Sequence, residues 1–396
     1  MKALVLGLGL QGKAVVHDLE QSHLIDRIIA ADLNLEALKD SIRRGGFKKT
    51  EPVRLDAAKA DDLAALIRRS AADIVICMLP PDFGFPVARV CLDCGKPFVS
   101  SSYTGRVAEL DQEARAKGIT ILPEMGMDPG IDLVLARLAI SELDRVVGLY
   151  SYGAGLPEPE AAATNPLAYK ITWRFDGVLS AYRRPARYLE DGQVRSLAGD
   201  EIFSPDQIHD LQVDGLGRLQ AYRNGDALHY IPAFGLSADH LRHMGRFAMR
   251  YPGHAEFWYK LVKLGFTDDE PVPVDGTRVS PRRFLVDFLT PKLQFGEEER
   301  DVAVIRVVAW GWRDREPRTV TYELLDYRDL DTGLFAMNRT VGFTTSIGAQ
   351  MVLSGAVAEG GVLSPIHDLD PQALIKALQD RGMTIRRWEK ETLERS

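Results

Sequence analysis

The chain has 396 residues, 45% hydrophobic and 27% charged, with a formal net charge of −7. That length suits two or three domains with large cores, and the acidic balance leaves no broad basic face for nucleic acid or an anionic membrane. Cys77, Cys91 and Cys94 are too few for a disulfide framework. No unbroken apolar run approaches the ~20 residues of a membrane span, and no secretory leader precedes the first strand pattern, so a reducing, cytoplasmic setting is expected.

The first 130 residues alternate short apolar runs with amphipathic ones. Strands are expected at Lys2–Leu6, Arg27–Ala31, Pro52–Leu55, Asp73–Leu79, Pro97–Ser100 and Thr120–Leu122. Helices are expected at Gln11–Glu20, Leu35–Arg44, Asp61–Arg69, Phe85–Cys94 and Val107–Lys117. This alternation implies a Rossmann-type, doubly wound parallel sheet with helices on both faces. Cys91 and Cys94 form a CxxC, read here as two small residues on a helix, because no second CxxC or histidine cluster completes a zinc site. After Glu124 the rhythm changes. Ile131–Leu143 has helical spacing, and Val146–Tyr327 is rich in aromatics and β-formers, with a hairpin from Val302–Trp312 to Thr319–Tyr327 about the turn Arg313–Glu316. Ser280-Pro281 starts a helix over Arg282–Leu289. A second, mixed α+β domain over residues 131–339 follows. Ser346–Glu359 reads as a close-packing helix of small residues, with 340–396 returning to the first domain.

Lys2–Leu6 runs into Gly7-Leu8-Gly9-Leu10-Gln11-Gly12, a GxGxxG that follows a strand and opens a helix, with Asp32 twenty residues beyond its last glycine. Gly7 permits the tight turn, Gly9 lets backbone approach a pyrophosphate, and Gly12 lets helix and strand pack closely. The pyrophosphate would sit on the unpaired N–H groups and positive dipole of the helix start. Asp32 would accept both hydroxyls of the adenosine ribose and repel a 2′-phosphate, and Leu33 and Asn34 supply no cation, so NAD is expected over NADP. Arg43, Arg44, Lys48 and Lys49 are the cations near enough to fold back. Asp56 follows the third strand, toward the adenine end; its other reading is a helix cap. Met78-Leu79-Pro80 follows the fourth strand, beside the nicotinamide ribose, and Ser101, Ser102 and Tyr103 follow the fifth. Ligands of open α/β sheets bind at these carboxyl ends.

Three further stretches carry chemistry. Glu124-Met125-Gly126-Met127-Asp128-Pro129-Gly130 sets two carboxylates after the last strand of the unit, with Gly126 beside the cofactor. Ser151–Pro157, with Tyr152, precedes Asn165–Trp173, where Lys170 follows Tyr169; a lysine in an aromatic, low-dielectric pocket acts as an acid or base near neutrality. Arg250-Tyr251-Pro252-Gly253-His254 pairs a guanidinium suited to a carboxylate with a histidine suited to proton transfer. No metal is expected. His240 and His243 are three apart, but no HExxH or acid-rich ligand set accompanies them.

Together these stretches, with the late Thr344-Thr345-Ser346, resemble the saccharopine dehydrogenase-like family of two-domain oxidoreductases over Met1 to about Pro365. The resemblance implies formation or cleavage of a carbon–nitrogen bond on an amino acid, by hydride transfer through an imine. Asn165–Trp173, Arg250–His254 and Ser280–Pro291 most resemble the L-lysine 6-dehydrogenase branch, which oxidises the ε-amine with NAD and releases ammonia. Saccharopine and carboxynorspermidine dehydrogenases are alternatives, and a non-catalytic NAD-binding sensor is an alternative of another class. In this reading Lys170, His254 and Asp128 are the acid/base candidates. Glu124 or Asp128 orients an ammonium, Arg250 or Arg174 binds a carboxylate, and Tyr152, Tyr169 and Thr344 line the substrate. The nucleotide and substrate residues would form opposite walls of a cleft, and a homodimer through the second domain's sheet is expected.

Overall fold

The computed structural model describes residues 1–237 and 239–393. The chain divides into two compact units, one of Met1–Val134 with Asp331–Met383 and one of Leu135–Leu330 with the segment from Thr384 onward. No helix among the described residues is long and apolar enough to cross a membrane.

The first unit begins as an alternation of β1 (Lys2–Leu6), α1 (Leu10–Gln21), β2 (Arg27–Asp32), α2 (Leu35–Gly45), β3 (Thr50–Arg54), α3 (Ala60–Ser70), β4 (Ile74–Cys77), α4 (Gly84–Asp93), β5 (Phe98–Ser100), α5 (Asp111–Lys117) and β6 (Thr120–Leu122), and runs into α6 (Ile131–Ser141). Residues Ile74–Cys77 are buried on both faces, as parallel strands covered by helices must be. The helix ends are written locally. Asn34 Oδ1 accepts the Ala37 N–H (3.1 Å) at the start of α2, and Gly46 closes it in the left-handed conformation. In α3, Asp61 and Asp62 sit in the first turn and Arg68 and Arg69 in the last, matching the helix dipole. The stretch expected as one helix over Val107–Lys117 is a 3₁₀ segment, Gly105–Leu110, followed by α5. Cys91 is fully buried on α4 and the three thiols are free.

The second unit is built from β7 (Arg145–Pro157), α7 (Pro159–Ala162), α8 (Phe175–Ala181), β8 (Ala186–Glu190), β9 (Gln193–Leu197), β10 (His209–Val213), β11 (Gly217–Arg223), β12 (His243–Arg250), α9 (His254–Lys263), a small hairpin of β13 (Val272–Val274) and β14 (Thr277–Val279), α10 (Pro281–Leu289), β15 (Asp301–Arg313) and β16 (Glu316–Tyr327). Asp314 and Arg315 both take positive φ in the β15–β16 turn, the geometry that suits the right-handed twist of a hairpin. Alternation along the strands sorts side chains to two faces. Tyr150, Tyr152, Phe247, Val304, Val308 and Trp310 pack on one face. On the other, Tyr169, Phe175, Val178, Tyr182, Tyr222 and Trp258 form a core with α8, α9 and α10. Ser280 caps α10 by accepting the Arg283 N–H (3.2 Å).

The chain then supplies α11 (Ala336–Leu353), β17 (Gly361–Val362) and α12 (Pro371–Gln379) to the first unit. Its seven parallel strands run in the order β17-β6-β5-β4-β1-β2-β3, so the order reverses between β1 and β4. Gly342 is required where α11 meets α1, because a Cβ there would lie 2.6 Å from Ala14 Cβ and 2.7 Å from Gln11 O. Asp18 of α1 is buried and paired with Arg381 (Nη2 to Oδ2, 2.9 Å), and Ser346 Oγ donates to it (2.6 Å). Two expectations are corrected here. The small-residue helix starts at Ala336, ten residues before Ser346, and ends at Leu353. The final segment does not stay with the first unit: β18 (Thr384–Lys390) pairs antiparallel with β16, extending the second sheet to β10-β11-β12-β7-β15-β16-β18.

Candidate active site

At the carboxyl end of β1, Gly7 takes φ +89 and Gly12 packs so closely beneath it that a Cβ would lie 2.0 Å from Gly7 O. Gly9 caps α1 without a side-chain hydrogen bond, and a Cβ on it would meet nothing within 4 Å. Leu10, half exposed, and Gln11 open the helix. This is a glycine-made platform with helix N–H groups facing open space, which fits a pyrophosphate. Asp32 is tied into the platform. Its Oδ2 accepts the Leu8 N–H (2.9 Å) and its Oδ1 the Asn34 N–H (3.0 Å). Arg43 and Arg44 are both paired with Asp40 on their own helix, and Lys49 donates to Ser22 O (2.7 Å).

The other strand ends of this unit carry the remaining nucleotide candidates. Asp56 Oδ1 accepts the Ala58 N–H (3.1 Å), so the carboxylate also shapes its own turn. Met78 and Leu79 are part-buried against the glycine loop, with Met78 O 3.0 Å from a Cβ built on Gly7, and Pro80 is exposed. Ser101 and Ser102 are part-buried and Tyr103 is 45% exposed.

The loop after β6 is folded tightly on itself. Gly126 N–H donates to Pro129 O (3.0 Å), and a Cβ on Gly130 would lie 2.1 Å from Gly126 O. Glu124 is buried with φ +61, and its Oε1 accepts the Thr104 N–H (3.2 Å). Asp128 is the part-exposed carboxylate of the loop. Asp132, absent from the sequence reading, is buried and accepts the Gly130 N–H (2.8 Å); burial, with Glu124 nearby, pushes its carboxyl up to about 7. Thr344, expected to touch substrate, is instead fully buried in α11, where it donates to Thr340 O (2.6 Å).

In the second unit the expected residues separate. Arg250 and His254 lie on the helix-covered face with Tyr169, Tyr182, Tyr222 and Trp258. Tyr152 lies on the other face, where His209 is 3.2 Å from its hydroxyl. His254 Nε2 and Tyr182 Oη share a hydrogen bond of 2.7 Å. Burial and the Arg250 charge hold the imidazole well below its ordinary pKa, so it is neutral at physiological pH. Burial raises the phenols of Tyr169, to about 12, and of Tyr182 and Tyr222. Arg250 stands over the Tyr169 ring at 5.5 Å and donates to Met249 O (2.7 Å). Its Nε, with Tyr169 Oη and Trp258 Nε1, is buried and makes no hydrogen bond among the described residues. Lys170 is held apart from this cluster by Glu299 (2.7 Å) and Gln294 O (3.2 Å), and Arg174 is exposed at the start of α8. Tyr182, Tyr222, Trp258 and Glu299 had no motif to announce them; only the fold brings them to Arg250, His254 and Lys170.

Comparison with known proteins accounts for both units. Residues 3–122 match the family model described as saccharopine dehydrogenase NADP binding domain, and residues 126–383 the saccharopine dehydrogenase C-terminal domain. The alpha-aminoadipic semialdehyde synthase of Arabidopsis thaliana is 32% identical over 295 residues, 71% of this chain and 27% of that protein, so the chain spans little more than a quarter of that relative's length. A saccharopine dehydrogenase [NADP(+), L-glutamate-forming] of Pyricularia oryzae is 27% identical, with 96% of each chain covered. The apo saccharopine dehydrogenase (L-Glu forming) from Saccharomyces cerevisiae superposes with a TM-score of 0.84 at 24% identity, covering 98% of this chain and 99% of that one, which shows a shared fold. With a dinucleotide-binding unit and an α+β unit both matched, the chain belongs to the saccharopine dehydrogenase family.

Proposed function

We propose that this protein oxidises the carbon–nitrogen bond at the distal nitrogen of a lysine-derived amino acid, with NAD as acceptor. The observation that carries the reading is the Asp32 carboxylate tied to the Leu8 N–H within the glycine platform. It supports a dinucleotide with a free ribose 2′-hydroxyl, because a phosphate there would meet a fixed negative charge. The NADP named for the family model and the fungal relative is the competing cofactor.

A bound nicotinamide supplies one thing, acceptance of a hydride. The chain's residues do the rest. The amine must be neutral before hydride leaves its carbon, water then attacks the imine, and the nitrogen fragment departs protonated. Asp128 is our leading acid/base group, because it is part-exposed whereas Lys170 is paired with Glu299 and His254 is buried against Tyr182. Glu124 suits an ammonium. Arg250 has no carboxylate partner among the described residues, so a substrate carboxylate suits it. A homodimer through the second sheet belongs to the same reading.

Two substrates fit this chemistry. L-Lysine gives a semialdehyde, ammonium and reduced cofactor. Saccharopine gives the same semialdehyde with glutamate, a reading favoured by the names of the fungal relatives. Both are tested by incubating the chain with each substrate and with NAD or NADP in parallel. The proposal expects reduced cofactor with NAD in excess of NADP, and ammonium or glutamate in equal amount. NADP preferred by tenfold or so would overturn the Asp32 argument, and no turnover of either substrate would overturn the activity.

A further inference from the structure

The strand path of the second unit ends on β10 and β18, and its two end strands approach one another. Arg306 of β15 donates from Nη1 to Gln212 O on β10 (2.8 Å), and Arg386 of β18 lies 3.8 Å from Asp214, just after β10. Between them is a cavity of about 620 Å³, within the range of small-molecule sites. It opens on the face that carries Tyr152, opposite the face of Arg250 and His254.

The floor of this cavity is an ion pair where the surrounding core is apolar. Arg306 pairs with Glu323, which is 2% exposed, among Val304, Val308 and Leu325. Apolar side chains of like volume would often stabilise such a position as well or better. The pair is also incompletely used. Arg306 reaches Glu323 Oε2 from Nε and Nη2, and Gln212 O from Nη1. That leaves two of its five N–H donors, and Glu323 Oε1 accepts no hydrogen bond among the described residues. Trp388 forms a wall, with the Arg306 guanidinium 5.5 Å from its ring, and Arg386 stands at the rim. The floor thus offers a cationic donor and an anionic acceptor side by side, beneath an aromatic surface.

We propose that this cavity binds a free α-amino acid in its zwitterionic form. Its carboxylate takes the spare donors of Arg306, assisted by Arg386. Its ammonium takes Glu323 Oε1, and its side chain lies along Trp388. This ligand neutralises both ends of the floor pair at once, which a simple anion or cation does not.

The test is saturation-transfer NMR on the full chain with L-leucine, L-phenylalanine and L-lysine as probes, each beside its N-acetyl and its carboxamide form. Leucine and phenylalanine carry no distal nitrogen, so their binding is separable from the proposed reaction. The expected result is saturable binding of at least one free amino acid, none by its blocked forms, and about tenfold weaker binding in both Trp388→Ala and Arg386→Ala. Both substitutions lie on an edge strand, and unchanged turnover with the proposed substrate, together with thermal melting, reports that they fold. Absence of binding by all three free amino acids overturns the proposal. So do equal binding of the blocked forms and full retention of binding in both variants.

Discussion

Lys170 keeps 7% of its surface exposed, and its ammonium is spent on Glu299 and a main-chain carbonyl. Asp128 is buried less and stands on a tightly folded loop at a strand end. These environments predict opposite outcomes for two conservative changes. Lys170→Met strands Glu299, and we expect a loss of about 1–3 kcal/mol in stability with kcat changed only a few-fold. Asp128→Asn should leave thermal melting nearly unchanged and lower kcat by about 10²–10⁴-fold. Paired melting curves and turnover numbers check both, and the reverse pattern would return Lys170 to the chemistry. Asp132 gives a pH test. Its folded pKa of about 7 lies above the ordinary aspartate value, so the fold favours the protonated form. The stabilisation is complete below the unfolded pKa and is lost as pH rises through the folded one. Asp132→Asn keeps an oxygen for the Gly130 N–H and removes the charge. Its melting temperature should therefore gain on the wild type progressively between about pH 4 and pH 7 and level off above that; parallel curves would contradict the assignment.

Among the elements, α1 does two things: its first turn forms the nucleotide platform and its flank takes α11. Gly342→Ala places a methyl 2.6 Å from Ala14 Cβ. Overpacking of this kind costs about 1–3 kcal/mol. The expectation is a lower melting temperature together with weaker dinucleotide binding by calorimetry, since the helix displaced is the one that carries Gly9 and Gly12. The glycine loop and the β15–β16 hairpin were legible because their signals are local, a few glycines or one turn between two alternating runs. The start of α11 was not. Asn338, Arg339 and Thr340 read as polar, yet all three are buried, so the apolar period was broken where the helix begins. β18 was hidden for a related reason, since Thr384–Lys390 is mostly charged and joins the sheet only as an edge strand. Tyr182, Tyr222 and Trp258 meet His254 and Arg250 from separate elements, a juxtaposition that no spacing encodes.

At the scale of the whole molecule, the two units carry complementary chemistry, a dinucleotide platform ending in Asp32 and a buried Arg–His–Tyr cluster around Arg250. Their family pairs such units in one chain, and the proposed lysine and saccharopine reactions share one step, departure of hydride from the carbon that bears the distal nitrogen. That step is tested most directly with lysine and saccharopine deuterated at that carbon. Turnover of either should carry the label onto the nicotinamide ring of the recovered cofactor, with NAD the better acceptor. That carbon bears two hydrogens, so with both replaced one deuterium stays on the aldehyde; both retained in the product of a turned-over substrate, or the departing one released to solvent, would contradict it.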